Sequence, residues 1–546
     1  AVAALAGLTT PASATDRYVA TNGLNTAGTN WTTAFRTVQQ GLDAAVGGET
    51  IHVAGHTFNL TNEITWTKSF VTMRGGYEAT VPVGPGTNNT TRWPTVFVRK
   101  TGNCRVMSVS GATEGTLHGV TVAGGYLSGP EPVCYGGGLR VVNCTTFVLA
   151  GSRVTNNWTV CTSSGKAIGG GLYASNSSVI VSNCIVQDNH AYGQYYYASG
   201  NGGGMAAIGN ALTLQDCVVA NNHARDEMKG SYWQYAYGGG IYLSGGAHQI
   251  KNSLVVANNC PNTDYPVGHG IYLAAGSASV QNCTVTANAG EGIRRGGGSL
   301  SVANSIVWAN GDDLVNFGTN AFGLLTNVTY SCIEDDDNAG TNWCITSDPR
   351  FEYGVYLATN SPCVDAGSAS AAAAGLDGYG TRADGVKDSG IVDLGYHQKT
   401  GVSPVAADLF VTTNGSDFSS GTNWTQALAS VTKALARSQV GTRVHVGAGT
   451  YDRFRETFPL RVNKTGVQIL GAGATGTAIN ASGSGKNVIL VDGVGGSGRI
   501  EGVTITGGYA TNVLEVEQYG FGGGLNIRNS TLCLASCRVT NNWAVA

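Results

Sequence analysis

One phrase of sequence recurs six times between Gly136 and Asn310, and it restricts the possible folds more than any other feature. It reads Gly-Gly-Gly-Leu, a short alternating run, Asn-Cys, then Val-x-x-Asn, with local variation. Copies begin at Gly136, Gly169, Gly202, Gly238, Gly268 and Gly290. Their third positions, Gly138, Gly171, Gly204, Gly240, Gly270 and Gly292, lie 33, 33, 36, 30 and 22 residues apart. Repeats of this period mark a solenoid, propeller or array, in which each unit buries its apolar face against the next. The shortest unit, 22 residues, has room for about three short strands and three corners. In longer units the extra residues fall between the final Asn and the next glycine triplet. Insertions therefore hang from one corner of a regular coil.

Within each unit apolar residues alternate. Val179, Val181, Cys184 and Val186 form one series; Leu212, Leu214, Cys217 and Val219 form another. Leu172, Met205, Ile241, Ile271 and Ile293 follow the glycines. Period two predicts strands with one buried face. Glycine suits the corner because it takes positive φ at little steric cost. Asn157, Asn189, Asn222, Asn258, Asn288 and Asn310 recur in one register. Asn tolerates left-handed backbone, and its amide can bond the equivalent Asn one coil away. Cys184, Cys217 and Cys283 form a second column, with Ser253 and Ser305 in the same register. Serine substitutes where a thiol packs rather than reacts. The pattern predicts an all-β fold, a right-handed parallel β-helix (a solenoid) with a short N-terminal capping helix.

Gly-Gly-Gly-Leu/Ile followed by Val-x-x-Asn resembles the Gly-Gly-Ala-Ile and Phe-x-x-Asn repeats of polymorphic outer-membrane protein passengers. More broadly, the chain resembles bacterial secreted right-handed parallel β-helix proteins of the pectate-lyase-like fold. It uses Val where the passengers use Phe, at Val154, Val186, Val219, Val255, Val285 and Val307. The resemblance implies a surface or extracellular protein.

The 546 residues exceed what one compact core usually takes. A solenoid escapes that limit because each coil contacts only its neighbours. With 42% hydrophobic and 12% charged residues, the composition is not that of a disordered chain. A net charge of -3 offers no basic field for nucleic acid, and no apolar run is long enough to span a membrane. Residues 1–15 read as a signal-peptide remnant, Ala12-Ser13-Ala14 fitting the small-x-small cleavage pattern. Export would permit disulfides among the 13 cysteines. Cys134 with Cys161, and Cys332 with Cys344, are candidate pairs that spacing alone does not fix.

Residues 16–310 are predicted to form an N-terminal cap and a first β-helix. Phe35, Val38 and Leu42 predict an amphipathic helix within Thr32 to Ala45, a cap for the open end. Residues 311–399 read as a closing segment that covers the other end, and 400–407 as a linker. Residues 408–546 repeat the opening: Phe410 to Gly415 matches Tyr18 to Gly23, and Leu428, Val431 and Leu435 repeat the helix face. A second cap and a second β-helix begin there, and the chain stops inside a repeat. The expected parent is a longer tandem array.

The insertions carry the most unusual side chains. Tyr192 to Tyr197 includes Tyr195, Tyr196 and Tyr197; the next insertion carries Tyr232, Trp233, Tyr235 and Tyr237. Rings with polar tips stack on sugars or anchor proteins, so these are the candidate ligand-binding residues, for a polysaccharide or a cell-surface protein. They could equally pack on each other. Acid catalysis needs two carboxylates close together. Asp188, Asp216, Asp226, Glu227, Asp264 and Glu291 share no register, so no catalytic residue is assigned. Arg294 and Arg295 are expected in a solvated turn, and His269 exposed at its corner. Glu334-Asp335-Asp336-Asp337-Asn338 lacks the spacing of an EF-hand. Asp365, Asp377 and Asp393 are expected to order turns or pair with Arg382. No metal or cofactor is assigned. The functional expectation is a non-catalytic exported structural or adhesive solenoid; the alternative is a polysaccharide lyase or glycoside hydrolase of the pectate-lyase-like fold. A filament subunit is a weaker third reading.

Overall fold

The computed structural model describes residues 16–545, apart from 81–83, 131–133, 195–197, 227–234, 261–264, 317–326, 335–339, 353–354, 400–407, 418, 420, 439–440, 493, 495–497, 511–521 and 529. The coil entered at Gly169 shows the path of the chain. Leu172–Ser175 and Val179–Ser182 run along one broad sheet. Ile185–Gln187 lies on a flank sheet, and His190–Gly193 and Ser199–Asn201 carry the insertion out and back. Each strand pairs in parallel with its equivalents before and after. Leu172 lies between Leu139 and Met205, Val179 between Phe147 and Leu212, and Val186 between Val154 and Val219. In two later coils the broad-sheet strands merge into Ile241–Lys251 and Ile271–Gln281. The expected parallel β-helix is thus the fold observed.

In-register parallel stacking turns sequence columns into spatial ones. Phe58, Phe97, Val122, Val154, Val186, Val219, Val255, Val285, Val307 and Ile333 form one buried column on the flank sheet. Full burial of each side chain contributes roughly 1.5–3 kcal/mol.

The asparagine column is a continuous chain of amide hydrogen bonds. Asn157 Nδ2 donates to Asn189 Oδ1 at 2.9 Å, Asn189 to Asn222 at 2.9 Å, and Asn222 to Asn258 at 3.0 Å. Asn258 donates to Asn288 at 3.0 Å and Asn288 to Asn310 at 2.9 Å. Each Nδ2 also donates to a carbonyl of the preceding coil: Val122, Val154, Val186, Val219 and Val255 in turn. Each Oδ1 accepts a second bond, from the backbone N–H of the preceding Asn. The expected left-handed backbone belongs to the residue before the ladder. Asn156, Asp188, Asn221, Ala257, Ala287 and Ala309 hold φ between 53° and 57°.

The Cys184, Cys217 and Cys283 thiols donate to the carbonyls of Ser182, Gln215 and Gln281 at 3.1, 3.1 and 3.2 Å. Ser253 and Ser305 make the same bond at 2.8 Å, which is why the two residue types interchange. Burial pushes the Cys283 thiol up to about 12. Neither the ladder cysteines nor Cys332 and Cys344 form a disulfide.

The three glycines of each corner serve different needs. The first has positive φ, 72° at Gly136 and 68° at Gly169. A Cβ on the second would reach the insertion strand: 2.3 Å from Trp158 O at Gly137 and 2.4 Å from His190 C at Gly170. A Cβ on the third would strike the ladder amide, 2.8 Å from Asn189 Cγ at Gly171. His269 replaces a second glycine in the shortest coil, where no such strand follows. Contrary to expectation it is buried, 6% exposed. Its ring occupies the space a Cβ on Gly290 would need.

The caps are shorter helices than periodicity suggested. Val38–Ala44 is helical, with Thr37 and Gln40 forming a capping box. Phe35 instead bridges Val19 in a β pairing, and Leu428 bridges Val411 before the helix Val431–Arg437. His52 packs against Tyr18 and Tyr77, and His445 stacks on Phe410. The closing segment also differs from expectation. Cys344 joins the axial core beside Ile333, and Ile345 bridges Cys332. Most of the later part instead lies along the flank sheet. Asn252 Nδ2 donates to His397 O at 2.9 Å, Tyr396 N to Thr284 Oγ1 at 2.9 Å, and Gly395 N to Asn304 O at 2.9 Å. Val355, Tyr356 and Ala383 cover Leu254 and Val256 there.

From Asp408 the architecture starts again. Asp408–Val411, Arg443–Val446, Gln468–Gly471, Arg499–Glu501 and Cys533–Ala535 form a parallel sheet over a separate core. Asn542 Oδ1 accepts from Gly508 N at 2.8 Å, as Asn157 Oδ1 does from Gly125 N at 2.9 Å.

Asn222→Ala strips bonding partners from Asn189, Val186 and Asn258 in a buried column. The expected loss is about 3 kcal/mol or more in urea unfolding. A loss under about 1 kcal/mol would show that the ladder is dispensable.

Candidate functional site

On the broad sheet, the residue after each inward Leu or Ile points outward. The resulting outer column reads Thr65, Ser108, Arg140, Tyr173, Ala206, Tyr242, Tyr272, Arg294 and Val315. Beside it runs a wall from the returning insertion strands: Tyr135, Ile168, Asn201, Tyr237 and Val267. Tyr135 stacks on Tyr173 at 5.0 Å between ring centroids, and Tyr237 meets Tyr272 at 4.9 Å. Tyr242 and Tyr272, one coil apart, lie 5.8 Å apart and tilted by 32°. Tyr135, Tyr237, Tyr242 and Tyr272 are half-buried, so each keeps part of its ring open. Ala206 and Asn201 make the small rung between Tyr173 and Tyr242. The Asn201 side-chain oxygen is buried there with no hydrogen-bond partner.

Arginines stand at both ends. Arg105 pairs with Glu63 at 2.8 Å and donates to Tyr135 O at 3.3 Å. Arg140 Nη1 donates to Ser108 Oγ at 3.4 Å. Arg294 pairs with Glu291, whose other oxygen accepts from Gly268 N at 2.6 Å. Arg294 and Arg295 therefore sit on the strand Glu291–Arg295, not in the solvated turn expected of them. Burial, then the neighbouring Tyr272, raises the Tyr242 hydroxyl above its ordinary range. Burial raises the Tyr272 hydroxyl as well, so Tyr242 and Tyr272 are neutral donors and acceptors at pH 7.

The insertions are more ordered at their roots than loops would be. Tyr126–Gly129, Trp158–Cys161, His190–Gly193 and His223–Asp226 form one parallel sheet; Lys166–Ile168, Ser199–Asn201, Tyr235–Tyr237 and Tyr265–Val267 form another. Trp158 stacks on His190 at 3.8 Å, and His190 on His223 at 5.0 Å. The Arg225 guanidinium lies over the Tyr192 ring at 4.4 Å and the Trp158 ring at 5.3 Å. Tyr192 is buried beneath it, so its role there is packing.

Of the sequence-derived ligand candidates, Tyr195, Tyr196, Tyr197, Tyr232 and Trp233 lie outside the described residues. Tyr235 is placed by its backbone on an insertion strand. Tyr237 joins the tyrosine column. Tyr135, Tyr173, Tyr242, Tyr272, Arg140 and Asn201 were not singled out by the sequence reading. The signal existed: Gly-Leu-Tyr or Gly-Ile-Tyr recurs at Tyr173, Tyr242 and Tyr272, and alternation puts that Tyr outside.

In the closing segment, carboxylate oxygens of Asp365, Asp388 and Asp393 lie within 4.8 Å of one another. Asp388 and Asp393 are committed to the fold, while the Asp365 carboxylate is exposed. Asp393 accepts from Asp365 N at 2.8 Å and from the Thr381 hydroxyl; Asp388 accepts from Asp393 N at 2.9 Å and meets His397 Nε2 at 2.8 Å. Arg382 pairs with Asp384 rather than with these residues. Glu334 accepts from Ala309 N at 2.7 Å, and 335–338 lie outside the described residues.

Residues 413–537 match a family described as "Protein of unknown function (DUF1565)". No curated protein matches the chain. Among solved structures, the crystal structure of pectate lyase Pel9A is similar at 14% identity and a TM-score of 0.39, covering 70% of this chain and 96% of that one. A likeness of that size carries no functional argument. No helix among the described residues is long and apolar enough to cross a membrane.

Burial pushes His223 and His269 down to about 4, and burial with His223 and Arg225 drives His190 well below its ordinary value. These rings are neutral in the fold but bind a proton near pH 6.5 when unfolded. Their stability contribution is therefore intact above pH 6.5 and lost as pH falls toward 4. His269→Gly restores the corner triplet and should remove roughly 3 kcal/mol of that pH dependence, read from urea unfolding between pH 7 and 4. An unchanged pH slope would contradict the burial of His269.

Proposed function

We propose that this chain is a non-catalytic, exported β-helix protein of the cell surface or extracellular space, and that it binds an extended polysaccharide along its tyrosine column. The observation that carries this reading is the in-register, half-open stack of Tyr242 and Tyr272, extended by Tyr237 and ended by arginines. Aromatic rings with polar tips suit the apolar faces and hydroxyl rims of sugars. A column that repeats once per coil presents equivalent contacts about every 4.8 Å, which suits a polymer rather than a compact ligand. The arginines favour acidic sugars, although Arg105 and Arg294 are already paired with carboxylates. Export is supported by the signal-like Ala12-Ser13-Ala14 and by the resemblance to secreted β-helix repeat proteins. An adhesive or matrix role fits a rigid rod with a repetitive face.

Hydrolysis by paired carboxylates fits this face less well. Glu63 and Glu291 flank the column seven coils apart, roughly 34 Å at about 4.8 Å per coil, while a catalytic pair needs roughly 5–10 Å. Asp312 is the neighbour of Glu291 one coil on, but both Glu291 oxygens are already taken by Arg294 and the Gly268 N–H.

The test is affinity electrophoresis against acidic and neutral polysaccharides, with and without calcium, alongside an assay for released oligosaccharide. Retardation without release is expected. Tyr242→Ala with Tyr272→Ala should weaken it roughly tenfold or more, given about 0.5–1.5 kcal/mol for each lost ring contact beyond its buried area. Release of oligosaccharide by the unmodified chain would overturn the non-catalytic reading. Unchanged retardation in the double variant would move binding off the column.

A further inference from the structure

The closing segment meets the β-helix at a pair of buried thiols. Cys332 and Ile333 form the last strand of the flank sheet, and alternation points them in opposite directions. Ile333 enters the axial core, where Cys344 also lies. Cys332 continues the outer column of Thr284 and Ile306. Outside, it is covered by Leu357, Cys363 and Leu394 of the closing segment. Cys332 and Cys363 both have no exposed surface. Cys363 is held by Leu394 N, which donates to its carbonyl at 2.8 Å, and by its own N–H, which donates to Ser361 Oγ at 3.1 Å. The Cys332 thiol donates to Ser347 O at 3.3 Å, and the neighbouring Cys363 thiol, then burial, raise it far above its ordinary range. This placement separates Cys332 from Cys344, the partner its loop spacing suggested.

We propose that Cys332 and Cys363 are a disulfide site that staples the closing segment to the flank of the β-helix when the chain folds under oxidising conditions. The oxidant is a low-molecular-weight disulfide or a dithiol oxidoreductase in its disulfide form. One thiolate attacks the oxidant's disulfide and releases one thiol; the second cysteine displaces the other thiol from the mixed disulfide. One S–S bond forms and one breaks, and both cysteine protons end on the two released thiols. The ladder cysteines differ in setting. Cys184 and Cys217 each donate to a carbonyl of their own coil at 3.1 Å and lie 3.4 Å from one of the preceding coil. A bridge between them would tie only adjacent coils, whereas Cys332 and Cys363 meet across the seam with the closing segment. Export would supply the required compartment, but the pairing itself does not depend on the polysaccharide reading.

The full chain is unfolded in denaturant with reductant, refolded in a glutathione redox couple, quenched with N-ethylmaleimide, and digested without reduction for mass spectrometry. The expected product is a linked peptide pair joining Cys332 to Cys363, with Cys344, Cys184 and Cys217 alkylated. Recovery of Cys332 as alkylated, or joined to Cys344, would overturn the proposal. Limited proteolysis gives a second readout. Cleavage within 351–399 should be slower in oxidised than in reduced protein, and the difference should vanish in Cys363→Ser, whose hydroxyl preserves a buried hydrogen-bonding group. A difference that persists in that variant would also overturn it.

Discussion

A primary amide buried without water must find partners for two N–H bonds and for its oxygen. In this protein the partners of each ladder asparagine are a carbonyl of the preceding coil, the next asparagine, and the backbone and amide of the one before. That arrangement works only when successive coils sit in register. A slip of one residue would leave several buried polar groups unpaired at every coil, at about 1–3 kcal/mol each. Valine stacking on the flank sheet is compatible with more than one register; the amide chain is not. The ladder thus turns a general tendency of apolar strands to stack into one specified winding.

The corner that carries the ladder also determines where variation can enter. The glycine triplet lets the ladder amide and the root of the insertion approach the same stretch of backbone. The insertion strands can then pair among themselves as two outer sheets while the core coil stays regular. His269 shows the converse. Where the insertion is missing, the second glycine is no longer required, and an imidazole fills the space. The same geometry builds the candidate site, because the returning insertion strands place Tyr135 and Tyr237 beside Tyr173 and Tyr272.

Much of the fold was legible because period two, the glycine triplet and the fixed distance to Val-x-x-Asn report one geometry repeated. Parallel in-register pairing of Val186 with Val154 and Val219 follows directly. Other features depended on contacts between distant segments. Phe35 has the spacing of a helix face but is drawn into a bridge with Val19. The closing segment has no periodicity, so its course along Asn252, Thr284 and Asn304 was invisible. The candidate site was half legible. Composition drew attention to the tyrosine-rich insertions, whereas the tyrosines that align best are single residues on regular strands. The placement of Arg294 on a strand likewise follows from backbone pairing with Tyr272 and Val315 in the neighbouring coils.

Hydrogen–deuterium exchange of the backbone amides at the ladder corners addresses the central physical point most directly. The N–H groups of Asn157, Asn189, Asn222, Asn258 and Asn288 each donate to a buried side-chain oxygen one coil away. Their exchange should be as slow as that of Val154, Val186, Val219, Val255 and Val285 in the core strands, with no loosening at the corners. Rapid exchange at these asparagines, with protection confined to the strands, would contradict the claim that the amide column fixes the winding.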